Sequence, residues 1–337
     1  MRIDRLSPTL PLVMLWACAV GWAVSLALWQ PLAERVSGHL DIGNYWARDL
    51  RMALIVLAAA TLVCAGRGRR GAGRGAIAGA LAWVALDVLL DRANLAGVTA
   101  AAGLAAVAGL VLTGLCLLAR RGEPKPGAAG LYVAAVFALT AAEGIGWIPG
   151  APEDASALWR PAGGLLLLLG CAVTVGCVAV AEPGRAKPVA IAVGALLALS
   201  ILVYALAPLI GGAAWLLSLL LVALHLVLLT MLVGSAWSVR RDGGWAAAAG
   251  AVLAGWLAPL VLLMLTWGEW SNYLARYNEW VIGDQLTRLA GNQPVYDPQA
   301  YTPSAYLSCV LASILGAFVV VGAAWRKRSG RVSPPGG

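Results

Sequence analysis

Charged and metal-binding residues are scarce in this sequence. Only 12% of the 337 residues are Asp, Glu, Lys or Arg, whereas soluble domains average roughly 25%. There are two histidines, and no His-x-x-x-His, Cys-x-x-Cys, Walker A or Gly-x-Ser-x-Gly motif. The first shortage excludes a soluble globular protein. The shortage of histidine and the lack of these motifs leave zinc binding, P-loop nucleotide hydrolysis and serine hydrolysis without support in the sequence.

Hydrophobic residues make up 61% of the chain and fall in long blocks. A helix needs about 20 mostly apolar residues to span a bilayer. Ten blocks meet or approach this length: 9–29, 50–66, 75–91, 97–119, 128–148, 161–181, 188–207, 212–236, 245–267 and 304–325. We therefore predict an all-α fold, a polytopic transmembrane helix bundle of about ten helices.

The domain organisation follows from these blocks. Residues 1–325 are predicted to form a single transmembrane domain, and residues 326–337 a cytoplasmic tail. On a finer division, residues 1–240 form an eight-helix bundle and residues 245–325 a helix–loop–helix unit.

The distribution of charge predicts the orientation. With Met1 in the cytoplasm, the cytoplasmic segments hold 17 of the 24 Lys and Arg residues but only 4 of the 16 Asp and Glu residues. Basic residues favour the cytoplasmic side. We predict both termini inside, a multi-pass location in the cytoplasmic (inner) membrane and contact with anionic lipid. The basic segment 67–75 is interpreted as a loop between two membrane helices, so we expect no nucleic-acid partner; protein partners are not indicated.

Ionisable residues collect near the predicted outer ends of the helices. Asp87 and Asp91 are one helical turn apart and share a face, whereas Asp49 and Arg51 do not. Ionisable groups at membrane depth indicate function and a charged partner. Two interpretations stay open: side chains that extend to the interface and pair there, or an outward-facing polar cavity. Separately, small residues at positions 71, 75 and 79 predict close helix packing.

The loop after the ninth block is the most informative segment. Tyr273, Tyr277, Trp280 and Val281 follow the spacing of a one-sided helix. Their aromatic rings suit the headgroup zone. We predict a helix in the outer interface ending near Gly291, then an extended, proline-rich approach to the last block.

This segment, with the helices that flank it (about residues 245–325), resembles the first extracytoplasmic loop of the GT-C membrane glycosyltransferases. The features that carry the resemblance are Asn278-Glu279-Trp280, the interfacial segment Gly283 to Ala290, Gly291, Pro294-Val295-Tyr296 and Tyr301-Thr302-Pro303. In that family a loop carboxylate activates the acceptor, and the donor is a polyprenyl-phosphate sugar.

The resemblance implies roles for individual residues. Glu279 would be the catalytic base, with Asp284 as a supporting catalytic candidate. The resemblance also makes Arg288 and Asp297 supporting candidates. Independently of it, the guanidinium groups of Arg276, Arg288 and Arg160 suit a lipid phosphate, and Tyr296 and Asp297 complete the predicted substrate-binding residues.

The position of the loop differs from the family. There it follows the first helix, whereas here it follows the ninth block. The first outer loop, with Asp41 and Asp49, occupies the family's position and is a second candidate for the acidic catalytic site. We expect no organic cofactor and no dedicated metal site, although outer-loop carboxylates suit a hard divalent cation.

Two other functions stay open. Ten helices, with interruptions at Pro208 and at Gly211-Gly212, are typical of a secondary transporter or flippase. A non-catalytic membrane partner of a larger complex would need no chemistry.

Overall fold

A computed structural model describes residues 9–31, 46–121, 127–146 and 153–210, and the single positions 224, 228, 229, 231, 232 and 235. The continuous ranges form seven helices, which confirms the all-helical prediction for this part of the chain. They are α1 (Leu10–Val24), α2 (Trp46–Ala65), α3 (Arg70–Arg92), α4 (Val98–Arg120), α5 (Ala128–Gly146), α6 (Glu153–Ala181) and α7 (Pro183–Ile210). A π-helical turn, Ser25–Trp29, continues α1.

Five of the described helices are long and apolar enough to cross a membrane. They are Leu10–Trp29, Arg70–Arg92, Val98–Arg120, Gly163–Ala181 and Pro183–Leu202. Helices α3 and α4 also expose large apolar side chains, with Ile77, Leu81 and Leu110 each more than 60% exposed. Each would cost about 1.5–3 kcal/mol of lost burial in water. These features fit a multi-pass membrane protein.

The first seven predicted blocks coincide with these helices, but several helices begin earlier than predicted. Helix α2 begins at Trp46, α3 at Arg70 and α6 at Glu153. Segment 67–75, predicted as a loop, and segment 149–160, which separates two predicted blocks, are therefore partly helical. Hydropathy detects only the apolar middle of a span, whereas polar residues such as Arg and Glu continue a helix readily.

The remaining blocks are less fully described. Only single helical positions of block 212–236 are described, and blocks 245–267 and 304–325 lie outside the described residues. The count of ten helices therefore stays a prediction, as does the division at residue 240.

Helix α2 is the centre of the described bundle. It packs against α1, α3, α5 and α6, while α4 packs mainly on α1 and α7 on α6. The shared core consists of buried Leu, Ala, Val and Cys side chains around Trp22 and Tyr132. Helix α3 rests chiefly on α2, so it lies at the edge of the described bundle.

Backbone contacts fix the two ends of the bundle. At the basic end, Gly68 adopts φ +68°, and the Gly127 N–H donates a hydrogen bond to the Arg67 carbonyl at 2.7 Å. At the predicted outer end, the Gly97 N–H donates to the Ala27 carbonyl at 2.9 Å. The connection between α3 and α4 is thereby held against the end of α1.

The predicted close packing at the glycines of α3 is not found. A Cβ atom added at Gly71, Gly75 or Gly79 would meet no neighbouring atom within 4 Å in the described part of the chain. Close packing occurs instead at Gly109 of α4, where such an atom would lie 2.5 Å from the Trp16 ring. A small residue thus marks a packing site only where a neighbour faces it.

Candidate functional site

Two arginines of α2 face two aspartates of α3 at the predicted outer end. Arg48 and Arg51 are three residues apart and Asp87 and Asp91 four apart, so each pair lies on one helix face. The Arg51 Nε donates to Asp87 Oδ1 at 2.7 Å, and its second terminal nitrogen to Asp91 Oδ2 at 3.0 Å. The Arg48 Nε donates to the same Asp91 oxygen at 2.8 Å.

Two residues of the α1 segment complete the cluster. The Trp22 Nε1 donates to Asp87 Oδ1 at 2.7 Å, and the remaining terminal nitrogen of Arg51 donates to Gln30 Oε1 at 3.2 Å. Gln30 directly follows the π-helical turn, where its own N–H bonds to the Ser25 carbonyl. Such wide turns inside α-helices are frequent at functional sites. We call these six residues the Arg51 cluster: Trp22, Gln30, Arg48, Arg51, Asp87 and Asp91.

The Arg51 cluster lies inside the bundle. The Arg51 side chain is 0% exposed and that of Asp87 is 2% exposed. A charge at membrane depth carries a large desolvation cost unless it is paired. Here two guanidinium groups face two carboxylates, so the positive and negative charges of the cluster balance.

A polar cavity lies beside the cluster. It has a volume of about 240 Å³ and is lined by Leu26, Gln30, Pro31, Asp91, Asn94, Leu95 and Ala96. Residues with carboxylate and amide side chains therefore line it from the α1 segment (Gln30), from α3 (Asp91) and from the connection after α3 (Asn94). Such groups recognise hydroxyls, which both donate and accept hydrogen bonds.

An apolar groove lies on the other side of Trp22. Its volume is about 290 Å³, and it is lined by Trp22 of α1 and by residues of α2, α3 and α4. Trp22 and Trp83 both line it, and their rings pack edge to face with centroids 5.3 Å apart. Trp22 thus lines the groove and also donates a hydrogen bond to Asp87 through its indole nitrogen.

The structure tests the sequence-based interpretation of the outer-end charges directly. Asp87 and Asp91 share a face and have charged partners, as predicted, and the structure shows these partners to be arginines of α2. Of the two interpretations left open, the pairing is found, and Arg51 and Asp87 are both buried inside the described bundle. The reason is that each finds an ion-pair partner on the neighbouring helix.

Most predicted site residues lie where the structure gives no description of them. Asp49 belongs to α2 and Arg160 to α6, but their side chains are not described. The other candidates lie wholly outside the described residues: Asp41, Arg276, Glu279, Asp284, Arg288, Tyr296 and Asp297. Their roles stay predictions.

Trp22, Gln30 and Arg48 belong to the cluster but were not singled out from the sequence. Arg48 could have been found, because its spacing from Arg51 matches a helix face once α2 begins at Trp46. Gln30 carries no comparable signal, since its position depends on the π-helical turn.

Metal ligation has no support among the described residues. No group of three His, Cys, Asp or Glu side chains in these ranges is placed to hold a metal ion. The outer-loop carboxylates expected to suit a divalent cation lie outside these ranges or, for Asp49, have no described side chain.

Comparison of this chain with protein-family models, curated proteins and solved structures finds no match. The resemblance to the GT-C glycosyltransferases therefore stays a sequence-based expectation.

Proposed function

We propose that this chain is a ten-helix protein of the cytoplasmic membrane, with both termini inside, that transfers a sugar from a polyprenyl-phosphate donor on the outer face. The observation that carries the proposal is the Arg51 cluster with the adjoining polar cavity. Buried ionisable groups at membrane depth, beside a concave and partly polar pocket, are typical of functional sites.

The Arg51 cluster lies at the predicted outer end of the helices, which is the end where we propose that sugar transfer takes place. Asp49 lies between Arg48 and Arg51 in the first turns of α2, and Asp41 precedes it by eight positions in the sequence. The first outer loop therefore leads directly into the cluster. The carboxylate and amides of the cavity suit the hydroxyl groups of a sugar.

The roles in this proposal follow the sequence resemblance. Glu279 acts as the base, assisted by Asp284, and Arg276 and Arg288 hold the lipid phosphate. Asp41 and Asp49 are the alternative acidic residues. A carboxylate suits base catalysis when its geometry brings it within hydrogen-bond reach of the acceptor hydroxyl.

The first experiment is native mass spectrometry of the detergent-purified protein. A retained polyprenyl phosphate, or its sugar adduct, is the expected result. Retention of ordinary phospholipid alone would count against a lipid-linked donor.

The second experiment measures sugar transfer in reconstituted vesicles supplied with polyprenyl-phosphate hexoses. Glu279→Gln should abolish transfer, whereas Glu182→Gln should not, because Glu182 pairs with Arg185 at the basic end. Full activity in Glu279→Gln would remove this residue from the mechanism and direct the test to Asp49→Asn. Absence of transfer in the unsubstituted protein would refute the proposal.

One observation favours secondary transport as a second candidate. Arg51 and Asp87 lie inside the bundle on predicted spans, and buried ion pairs of this kind often mark ion or substrate pathways. Uptake driven by a proton or sodium gradient into reconstituted vesicles would support it, and Asp87→Asn should then abolish uptake. Vesicles that transfer sugar but show no gradient-driven uptake would exclude it.

A further inference from the structure

Helix α3 begins with two arginines on one of its faces. Arg70 is the first residue of the helix, Arg74 lies one turn further along, and both are exposed. Ile77 and Leu81 continue the same face at helical spacing, and they are 64% and 67% exposed. We call these four residues the Arg70 stripe. It carries positive charge at the basic end of the bundle and large apolar side chains directly beyond it.

The start of α3 is fixed to its neighbours by Arg69. The Arg69 guanidinium donates hydrogen bonds to the Gly66 carbonyl at 2.9 Å and to the Ala119 carbonyl. These bonds tie the residue before α3 to the ends of α2 and α4. The arginines of the Arg70 stripe therefore start from a fixed backbone, and a ligand that binds them need not first order this segment.

The charge of the Arg70 stripe is not balanced by nearby acidic residues of α2 or α3. The sequence contains no Asp or Glu between Asp49 and Asp87. Asp87 lies about 20 Å along the helix from Arg74, and it pairs with Arg51. The basic halves of α2 and α3 therefore carry only positive charge, which attracts an anion.

The helix itself adds to this positive potential. The amide groups of a first helical turn carry partial positive charge, so acidic side chains are favoured there and basic ones are not. The first turn of α3 contains no acidic residue and begins with Arg70. A bound anion would interact favourably with the arginines and with the amide end of the helix at the same time.

A phospholipid has the same chemistry in the same order as the stripe. Guanidinium groups bind phosphate oxygens through paired hydrogen bonds, and the acyl chains follow the phosphate towards the middle of the membrane. Leu81 lies about 10 Å beyond Arg74 along the helix, which is within the hydrocarbon half-thickness of about 15 Å. A free phosphate ion or an acidic peptide would leave Ile77 and Leu81 without a partner.

We propose that the Arg70 stripe binds an anionic phospholipid of the cytoplasmic leaflet. The lipid phosphate lies between Arg70 and Arg74, and one acyl chain lies along Ile77 and Leu81. The leaflet follows from the predicted orientation, in which basic segments face the cytoplasm and its anionic lipid. The site lies at the opposite end of the bundle from the Arg51 cluster, and it goes beyond the proposed sugar transfer.

The test is photolabelling of the full-length protein in phosphatidylcholine nanodiscs. The probe is phosphatidylglycerol with a diazirine in the middle of one acyl chain, and the labelled peptides are identified by mass spectrometry. The peptide that contains Ile77 and Leu81 should be labelled. Replacing part of the phosphatidylcholine with unlabelled phosphatidylglycerol should reduce this label severalfold, whereas the same amount of phosphatidylethanolamine should leave it unchanged. Equal competition by the two lipids would refute the choice of an anionic headgroup.

A pair of charge variants tests whether the site is local. Arg74→Gln should reduce the label on α3 about fivefold, because one arginine near the surface contributes about 1 kcal/mol to anionic lipid binding. Glutamine is also a good helix former, so α3 is preserved. Lys187→Gln is the matched control, since Lys187 is exposed at the same end but belongs to α7, which packs on α6. It should change the label less than about twofold, and equal effects of the two variants would show diffuse attraction and refute the site.

The lipid site can fail separately from the proposed sugar transfer. Labelling requires no reaction, so a protein that is labelled on α3 but transfers no sugar would sustain the site and refute only the transfer. If another helix of this chain or a second copy covers the stripe, α3 will carry no label, and the proposal is overturned. Loss of the label on adding inorganic phosphate or a soluble acidic peptide, with phosphatidylglycerol ineffective as a competitor, would assign the arginines to that ligand instead.

Discussion

Arg51 of α2 and Asp87 of α3 form an ion pair at 2.7 Å, with neither side chain more than 2% exposed. The two residues are 36 positions apart in sequence and lie on adjacent helices that pack against each other. A pair placed this way positions α3 against α2 more specifically than apolar contacts do, because a guanidinium has a fixed geometry. Its removal therefore gives the sharpest prediction for stability.

Arg51→Met should destabilise the protein by about 3–5 kcal/mol, because it leaves two buried carboxylates without their shared partner. The free energy of unfolding in mixed micelles, measured by SDS titration, checks this value. Arg185→Met is the control, since Arg185 pairs with Glu182 with half of its side chain exposed and should cost at most about 1 kcal/mol. Equal effects of the two variants would show that the Arg51 pair is not buried as described.

Trp22→Phe should cost about 1.5–3 kcal/mol, because it removes a hydrogen bond to a charged carboxylate and keeps most of the ring. The contact with Trp83 is retained in this variant. Trp16→Phe is the matched control, since the Trp16 Nε1 donates to the neutral Thr113 hydroxyl at 3.1 Å and Trp16 is 37% exposed. The same titration compares them, and a larger loss for Trp16→Phe would contradict the ranking.

Hydropathy predicted the seven described helices well, because a span needs a length of apolar chain that few other segments supply. It placed the starts of α2 and α3 too late, since Arg48 and Asp49 in α2, and Arg70 and Arg74 in α3, lower the local hydropathy without ending a helix. The late start of α2 hid the i,i+3 relation between Arg48 and Arg51. The low hydropathy of the first turn of α2 therefore explains both why its start was missed and why Arg48 was not recognised beside Arg51.

The cluster itself was only half predictable. The spacing of Asp87 and Asp91 indicated a shared face, which is a local property of one helix. Their partners come from α1 and α2, and which helices meet is decided by packing that no local pattern encodes. Gln30 depends on the π-helical turn, for which the sequence contains no recognisable signal.

Gly68→Ala should destabilise the protein, whereas Gly71→Ala should be neutral or stabilising. Gly68 has φ +68°, and a Cβ there would meet the Gly127 carbonyl, so alanine would cost at least about 1–2 kcal/mol. Gly71 is the second residue of α3 and has open space around it, so alanine meets no neighbour there and gains at most about 0.5–1 kcal/mol, the value for a helix interior. The free energy of unfolding should therefore fall in Gly68→Ala and stay unchanged or rise in Gly71→Ala. A shared sign would contradict the described conformation of the 66–69 connection.

Labelling of two exposed positions tests the predicted orientation. Arg92 ends α3 at the predicted outer end, and Arg121 follows α4 at the basic end; both are exposed. Because basic connections stay in the cytoplasm, Arg92→Cys should react with a membrane-impermeant maleimide in intact cells. Arg121→Cys should react only after permeabilisation. The unsubstituted protein corrects for its own cysteines, five of which are described and largely buried. The reverse labelling pattern would place the Arg51 cluster on the cytoplasmic face and exclude sugar transfer on the outer face.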